Sequence, residues 1–500
     1  MLARMSRPAQ RAILASVASL AVLLAAPPPA ARANDGLHIL SQSTKSLGRG
    51  ETGVAVGNDV MTSIQNPATL TEIEDMRVDG NLGLFIDRTR STSRFEDRVD
   101  VGVIPIPAVG VGWDPFRPDA PDDGGPVLPS RARVALTFWQ PLTLMISPSV
   151  SFAYRLTDTL SFGVSLQPIL TVLNIQINAH AGGDPTAPQD FIPEGKVFVH
   201  YRPDGTPVTP AQPFDAGTGT QVGWGEVFTL ANNTSGPAPT APPPTTKINL
   251  QGVQGFGVGG QLGLFWQPLS EVAVGLSWRL PAGVFNVHGK AKIDLTEAID
   301  AIKANPTIGQ LLTAAFETYL PDRGLSGYKA TYDAVGTNIV LPQILSLGTA
   351  VMPLPGWLLT LDLHYINWNA ASSKITLKGS NGSNNDFNEI NGGGGLTYVV
   401  KINWTDSFMI AAGTAISVTD NVVLRAGFSH CKNPMSSDFT LGSSLGTEDH
   451  ATLGAGLVFT HWEFDVAYMY GLPTPVRVDA AQLRSTSEQH WIFFGVSYRW

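Results

Sequence analysis

The residues that look most like catalytic machinery are Gly442-Ser443-Ser444-Leu445-Gly446, with Asp449 and His450 just behind them. A G-x-S-x-G pentapeptide can present a serine nucleophile, and a neighbouring His and Asp can activate it for ester hydrolysis. That chemistry needs a sharp strand-to-helix turn at the top of an α/β sheet. This segment instead joins two β-like stretches, in a chain with 51 glycines, where such a match arises readily by chance. An outer-membrane lipase or esterase using Ser444 and His450 is kept as an alternative. Gly255-Phe256-Gly257-Val258-Gly259-Gly260 fits the dinucleotide pattern G-x-G-x-x-G, but no helix follows to receive a pyrophosphate. Glycines placed so thin a strand, for curvature or for the close approach of a plug inside the wall. The nine histidines show no metal-ligand spacing such as H-E-x-x-H. No catalytic residue, metal or other cofactor is therefore expected.

The elements that would carry any site are strands. The last residues alternate: Ile492, Phe494, Val496, Tyr498 and Trp500 fall on one face, and Trp491, Phe493, Gly495, Ser497 and Arg499 on the other. The same period recurs along the chain. Phe152, Tyr154 and Leu156 oppose Ser151, Ala153 and Arg155. Leu359, Leu361 and Leu363 oppose Thr360, Asp362 and His364. Leu424 and Phe428 oppose Arg425 and Ser429, and Phe464, Val466 and Tyr468 oppose Glu463, Asp465 and Ala467. A sandwich facing bulk water would show Lys, Glu and Thr on the polar side. Here that side is Gly, Ser, Ala and isolated charges, and the apolar side is dense in aromatics. That pattern suits a wall between lipid and a crowded lumen. Charged residues make up only 15% of the chain, and after the N-terminus no apolar run is long enough for a membrane helix. Composition alone fits a secreted β-rich adhesin equally well. The alternation, with short turns at 156–159 and 418–421 and longer connections between, predicts an all-β fold: a transmembrane antiparallel β-barrel of about fourteen strands.

The N-terminus carries Arg4, Arg7 and Arg11, an apolar run from Ile13 to Ala26, and Ala31-Arg32-Ala33. These are the parts of a cleaved export signal spanning 1–33. Residues 34–75 are polar and Gly-rich and do not read as wall. Asn66 can cap a short helix with Pro67 at its first position. The wall occupies 76–500, with a Pro/Gly-rich outer loop at 178–246 and an amphipathic helical stretch at 294–320. In that stretch Leu311, Leu312, Ala315, Phe316 and Tyr319 recur at helical spacing. They serve either as a packed lid or as an apolar landing surface for a greasy ligand. The inward-facing charges Arg155, Asp362, His364, Arg425, Glu463 and Asp465 form a candidate lumen cluster, in which Arg425 either serves as a counter-charge to a ligand carboxylate or, the favoured reading, pairs with Asp362, Glu463 or Asp465. No basic stripe suggests nucleic acid, and Cys431 is alone.

Several pieces together resemble the FadL/TodX family of outer-membrane transporters for long-chain fatty acids and other hydrophobic compounds. They are Gly48-Arg49 with Gly53, Ala55, Asp59 and Asn66-Pro67-Ala68; Leu341 to Gly348; Leu361 to Tyr365 with Trp368; Leu424 to Gly427; His450 to Gly456; and the terminal Arg499-Trp500. The resemblance implies a fourteen-stranded barrel in a bacterial outer membrane, its lumen closed by an N-terminal hatch that includes Gly48, Arg49 and Asn66-Pro67-Ala68. It implies capture of a hydrophobic ligand at the outer loops, hatch rearrangement, and sideways release into membrane lipid. Barrel-assembly machinery is the expected partner of the last strand, which ends at Trp500, and a monomer is expected. Relatives that carry fatty acids place basic side chains near the carboxylate. Between Arg155 and Lys196 this chain has neither Lys nor Arg, so neutral hydrocarbons stand level with fatty acids as cargo.

Overall fold

Closure of the wall depends on its two ends. Arg77–Thr92 (β1) pairs antiparallel with Leu483–Arg499, sixteen consecutive rungs from Arg77↔Arg499 to Thr92↔Arg484. The computed structural model describes residues 40–500 except 74–75, 93–95, 117–129, 141–144, 181–196, 199, 202–206, 209–221, 224–244, 286, 295, 297–299, 301–303, 305–327, 338, 372–373, 386–387, 389–394, 402–403, 435–446 and 479–482.

Every other pairing in the wall is antiparallel between sequence neighbours. After β1 come β2 (Glu96–Trp113), β3 (Ala132–Trp139), β4 (Met145–Arg155), β5 (Leu160–His180) and β6 (Thr245–Leu269). β7 is broken into Val272–Arg279, Ala282–Val284 and Val287–Asp294. β8 comprises Lys329–Thr337, Ile339–Leu341 and Gln343–Leu354. β9 comprises Trp357–Asn367 and Lys374–Ser380, and β10 Leu396–Lys401 and Ser407–Thr419. β11 (Val422–Cys431), β12 (Asp449–Val458), β13 (Trp462–Val478) and β14 (Leu483–Arg499) complete the ring. The result is a closed barrel of fourteen strands.

Alternation decides which side meets lipid. Leu166 is 56% exposed and Phe494 48%, while their neighbours Ser165 and Gly495 are buried. An apolar outer face in contact with hydrocarbon loses nothing, and the backbone is satisfied by the closed ladder. Turns at 156–159, 270–271, 355–356, 420–421 and 459–461 share one end with both ends of the wall. One connection at that end is longer: residues 114–131 join β2 to β3, and Ser130 closes its base by donating to Asp114. β5 and β6 pair as far as His180↔Thr245, so the outer connection between them spans 181–244. Of the helical stretch 294–320, Thr296 and Asp300 are helical, and Ala304 N–H donates to Asp300 O at 2.9 Å. Leu311, Leu312, Ala315, Phe316 and Tyr319 lie outside the described residues.

Residues 40–73 fill the lumen. Thr44–Leu47 is one helical turn capped by Ser43, followed by 3₁₀ turns at Val60–Ile64 and Pro67–Glu72. Asn66 caps the last, its side chain accepting from Ala68 N, with Pro67 where a missing N–H costs nothing. The segment fits because the wall is thinned by glycine beneath it. A Cβ on Gly275 would stand 1.9 Å from Val54 O, one on Gly413 2.1 Å from Arg49 O, and one on Gly263 2.1 Å from Asn66 Oδ1. The glycines of 255–260 serve a different approach. Their added Cβ atoms would strike β7 at the break in that strand, with Gly257 meeting Gly283 O at 2.6 Å. Gly275→Val is expected to leave the barrel closed but unseat the segment. Trypsin should then cut at Lys45 or Arg49, both buried here, while heat-modifiable gel migration stays unchanged; a variant as protease-resistant as the parent would contradict this.

Candidate functional site

Strands β1 to β14 each meet the inner segment, so the site is built around that interface. Asp362 on β9 points inward because odd residues there face lipid. Its Oδ2 accepts Gly53 N at 2.7 Å and Val54 N at 3.0 Å. Such backbone donors are the natural partners of a buried carboxylate. Asp79 accepts Val60 N at 2.7 Å, and Thr452 accepts Gly50 N at 2.9 Å. Across the other half of the ring the wall donates. Arg155 Nη2 reaches Thr71 O at 2.6 Å, Arg279 Nη2 reaches Ile64 O at 2.6 Å, and Gln261 Nε2 reaches Gln65 O at 2.7 Å.

One buried ionic group ties the start of the segment to the seam. Lys45 pairs with Glu463, which Arg77 also holds at 2.7 Å. Arg77 bridges on to Asp79 at 2.8 Å, and Arg425 pairs with Asp465 at 2.7 Å. Of the inward charges singled out from sequence, Arg425, Glu463 and Asp465 come together here. Asp362 stands apart on the backbone of Gly53 and Val54. Arg155 stands apart beside Glu72 at 3.3 Å. His364 Nδ1 makes a hydrogen bond with Ser346 Oγ at 2.8 Å. Lys45, Arg77 and Asp79 complete the ionic group and were not singled out, although Arg77 and Asp79 share the inward parity of β1. Gly48 and Arg49 cross beneath β10 to β12. Arg49 is wholly buried and donates through Nη2 to Thr52 O at 3.2 Å. Burial, then the nearby Arg425 charge, lowers its pKa to about 10, so it stays protonated at neutral pH.

Toward the outer side, Leu40, Gln65, Gln261, Arg279, Ile344, Ser346 and His364 line a cavity of about 10 Å³, room for roughly one water. Arg279 also sits 5.0 Å over the ring of Trp139. It was legible as an inward residue of β7, following Gly275 and Ser277, but a lone arginine in a strand carries no motif.

A second feature lies in the wall. β2 continues to Glu96, yet among the described residues its ladder with β3 stops at Val109↔Phe138. At that point the amide of Gln42 takes the place of a strand. It donates to Gln140 O and accepts Gln140 N at 3.2 Å. Behind it Met61, Ile64, Ala108 and Trp139 pack into an apolar cluster. Among the described residues no His, Cys, Asp and Glu gather as a metal site. His450 is buried and its Nε2 shares a hydrogen bond with Thr447 Oγ1 at 2.8 Å; Ser444 lies outside the described residues.

Residues 143–499 match the family model described as outer membrane protein transport protein (OMPP1/FadL/TodX). No curated protein matches by sequence. Among solved structures, the toluene transporter TodX of Pseudomonas putida is similar over 93% of this chain and 99% of its own, at 15% identity and TM-score 0.64. A FadL homologue of Pseudomonas aeruginosa is similar over 92% and 99%, at 14% identity and TM-score 0.58. The toluene transporter TbuX of Ralstonia pickettii is similar over 91% and 98%, at 15% identity and TM-score 0.57.

Two outcomes follow from the interface. Glu463→Ala leaves Lys45 and Arg77 buried without that carboxylate and should loosen the segment by about 3–5 kcal/mol, read as faster amide exchange over 44–66; exchange within error of the parent would refute the pairing as an anchor. Burial raises the Glu51 carboxyl from 4.5 to about 7 against a hydrogen bond from Ser429. Below pH 4.5 the group is neutral whether the segment is docked or released. Above it the released form ionises first, so docking weakens as pH rises to about 7, by up to roughly 3 kcal/mol. Glu51→Gln should flatten that pH dependence of protease resistance.

Proposed function

The chain belongs to the OMPP1/FadL/TodX family of outer membrane transport proteins, and from that premise we propose how it admits hydrophobic small molecules through the bacterial outer membrane. The cargo class is long-chain fatty acids or aromatic and aliphatic hydrocarbons. Residues 40–73, within the span 34–75, act as the hatch. Ligand gathered at the outer loops, including the stretch with Leu311, Leu312, Ala315, Phe316 and Tyr319, passes toward the cavity beside Arg279 and His364. Withdrawal of Leu40–Gln42 then frees Gln140, and the ligand leaves sideways between β2 and β3. Apolar solute gains nothing by entering periplasmic water and transfers directly to hydrocarbon.

The observation that carries this reading is Gln42, a hatch side chain standing where the β2–β3 ladder ends, with an apolar cluster behind it. A hatch that completes the wall opens it by moving. Nothing in the site favours a hydrolase. The long-chain fatty-acid option keeps Arg279 as the guanidinium placed to meet a carboxylate at the inner cavity.

Uptake of labelled toluene and oleate by cells carrying the protein tests the route. Ala108→Trp places a bulky ring inside the gap and should cut uptake of both at least tenfold, with barrel closure unaffected. Undiminished uptake would sink sideways exit. Removing 34–73 should leave a folded barrel that conducts ions in planar bilayers; recordings indistinguishable from the intact protein would argue against a hatch.

A further inference from the structure

The outer extensions of five neighbouring strands carry most of the chain's lysines. The whole sequence has eleven lysines and a net charge of −9. Seven of them fall on residues 247, 290, 292, 329, 374, 378 and 401, in β6 to β10. The same segments contain only two acids, Asp294 and Asp333. An acidic protein has thus concentrated its lysines on the strand extensions of one sector.

Register shows which way that sector faces. Gln254, Phe256 and Val258 share the parity of Leu264 and Trp266, the exposed lipid face of β6. Gln254 pairs with His288, so His288, Lys290 and Lys292 continue the outward face of β7. Across β8, Lys290 pairs with Asp333 and Lys292 with Thr331. His288 pairs with Val335, which pairs in turn with Lys378 of β9. Lys290, Lys292, Lys329 and Lys378 are exposed. Lys290 and Lys329 meet Asp333 and Asp294 respectively. Among the described residues no carboxylate meets Lys292 or Lys378. Register further sets Lys247 opposite Asp294 and Lys374 opposite Lys401.

The lipid belt ends just below. Phe285 is 62% exposed and stacks on Phe256, ring centroids 6.2 Å apart. Lys290 is five residues further out, about 16 Å along the strand and about 12 Å in height at a 45° tilt. That is the depth of a lipid headgroup, with the acyl chains against Phe256, Phe285 and Trp278. We propose that this outward face of β6 to β10 binds the phosphorylated saccharide headgroup of an outer-leaflet glycolipid. Lys supplies compact point charges to phosphate oxygens, and the aromatic belt below supplies the surface for the same lipid's chains. The inference rests on the barrel's place in an outer membrane and is independent of what the lumen carries.

The test uses the whole protein in detergent at low salt, with bisphosphorylated lipid A and its dephosphorylated counterpart as probes, and binding read by native mass spectrometry. The phosphorylated form should bind at least tenfold tighter. K290Q/K292Q/K378Q should lose most of that difference, and K290R/K292R/K378R should keep it. Equal binding of the two lipids, or a Gln variant that binds as the parent does, would overturn the proposal. So would equal competition by phosphatidylglycerol, meaning a general attraction to anionic lipid, or by inorganic phosphate, meaning a free-anion site. The lipid comparison on the parent protein decides the matter even if the Gln variant fails to fold. Because no transport is measured, failure here is distinguishable from failure of the uptake route.

Discussion

The rest of the structure depends on a wall that must hide polar groups on its inner side as well as apolar groups on its outer side. Lipid contact fixes the outer face cheaply, because Leu, Phe and Trp lose nothing there. The inner face is harder. Asp79, Asp362, Arg279, Arg425, Glu463 and Asp465 are all buried, and a buried charge is tolerable only when paired and hydrogen-bonded. The chain solves this with residues of its own that precede the wall. Segment 40–73 brings backbone N–H groups to Asp79 and Asp362, carbonyls to Arg155 and Arg279, and an ammonium to Glu463. Wall and filler are each other's solvent.

Strength of attachment is uneven along that filler, and the unevenness fits a gate. From Lys45 to Glu72 it is held by buried ions, capped turns and glycine-floored contacts. Ser43 belongs with that firm part, capping the first turn and donating to Asp59; from Leu40 to Gln42 the ties are softer: Leu40 packs in the cluster with Ile344, Ile366, Trp368 and Cys431, and Gln42 bonds to Gln140. Those last contacts are also the ones that finish the wall. Neutral amide bonds are worth about 1 kcal/mol net each, whereas stripping one partner from a buried ion pair costs about 3–5 kcal/mol. The contacts that finish the wall are thus distinct from those that hold the body of the filler.

Much of this was legible in the residues. Period-2 alternation with Gly and Ser opposite aromatics was enough for a lipid-facing wall, because no water-exposed sheet tolerates that outer face. Asn66-Pro67 announced its capped turn by local chemistry alone. The inward charges on β9, β11 and β13 could be read by parity. Their partners could not: Lys45 meets Glu463 across 418 positions of sequence, and nothing local to either residue encodes that meeting. The gap beside Gln140 was equally silent, since a ladder that stops is a relation between two strands and leaves no mark in either. The glycines of 255–260 were read as making room, which they do, but for the broken strand beside them. The lysine-rich sector looks like scattered charge until register brings five strands side by side.

The seam between β1 and β14 couples closure of the wall to the filling of its lumen. β1 follows directly from the filler, and its partner is the final stretch of the polypeptide. Once those sixteen rungs zip, Lys45 and Arg77 are locked against Glu463 inside a ring with no free edge. Lys45 and Arg77 both reach Glu463 beside that seam, so seating the filler and sealing the ring reinforce one another.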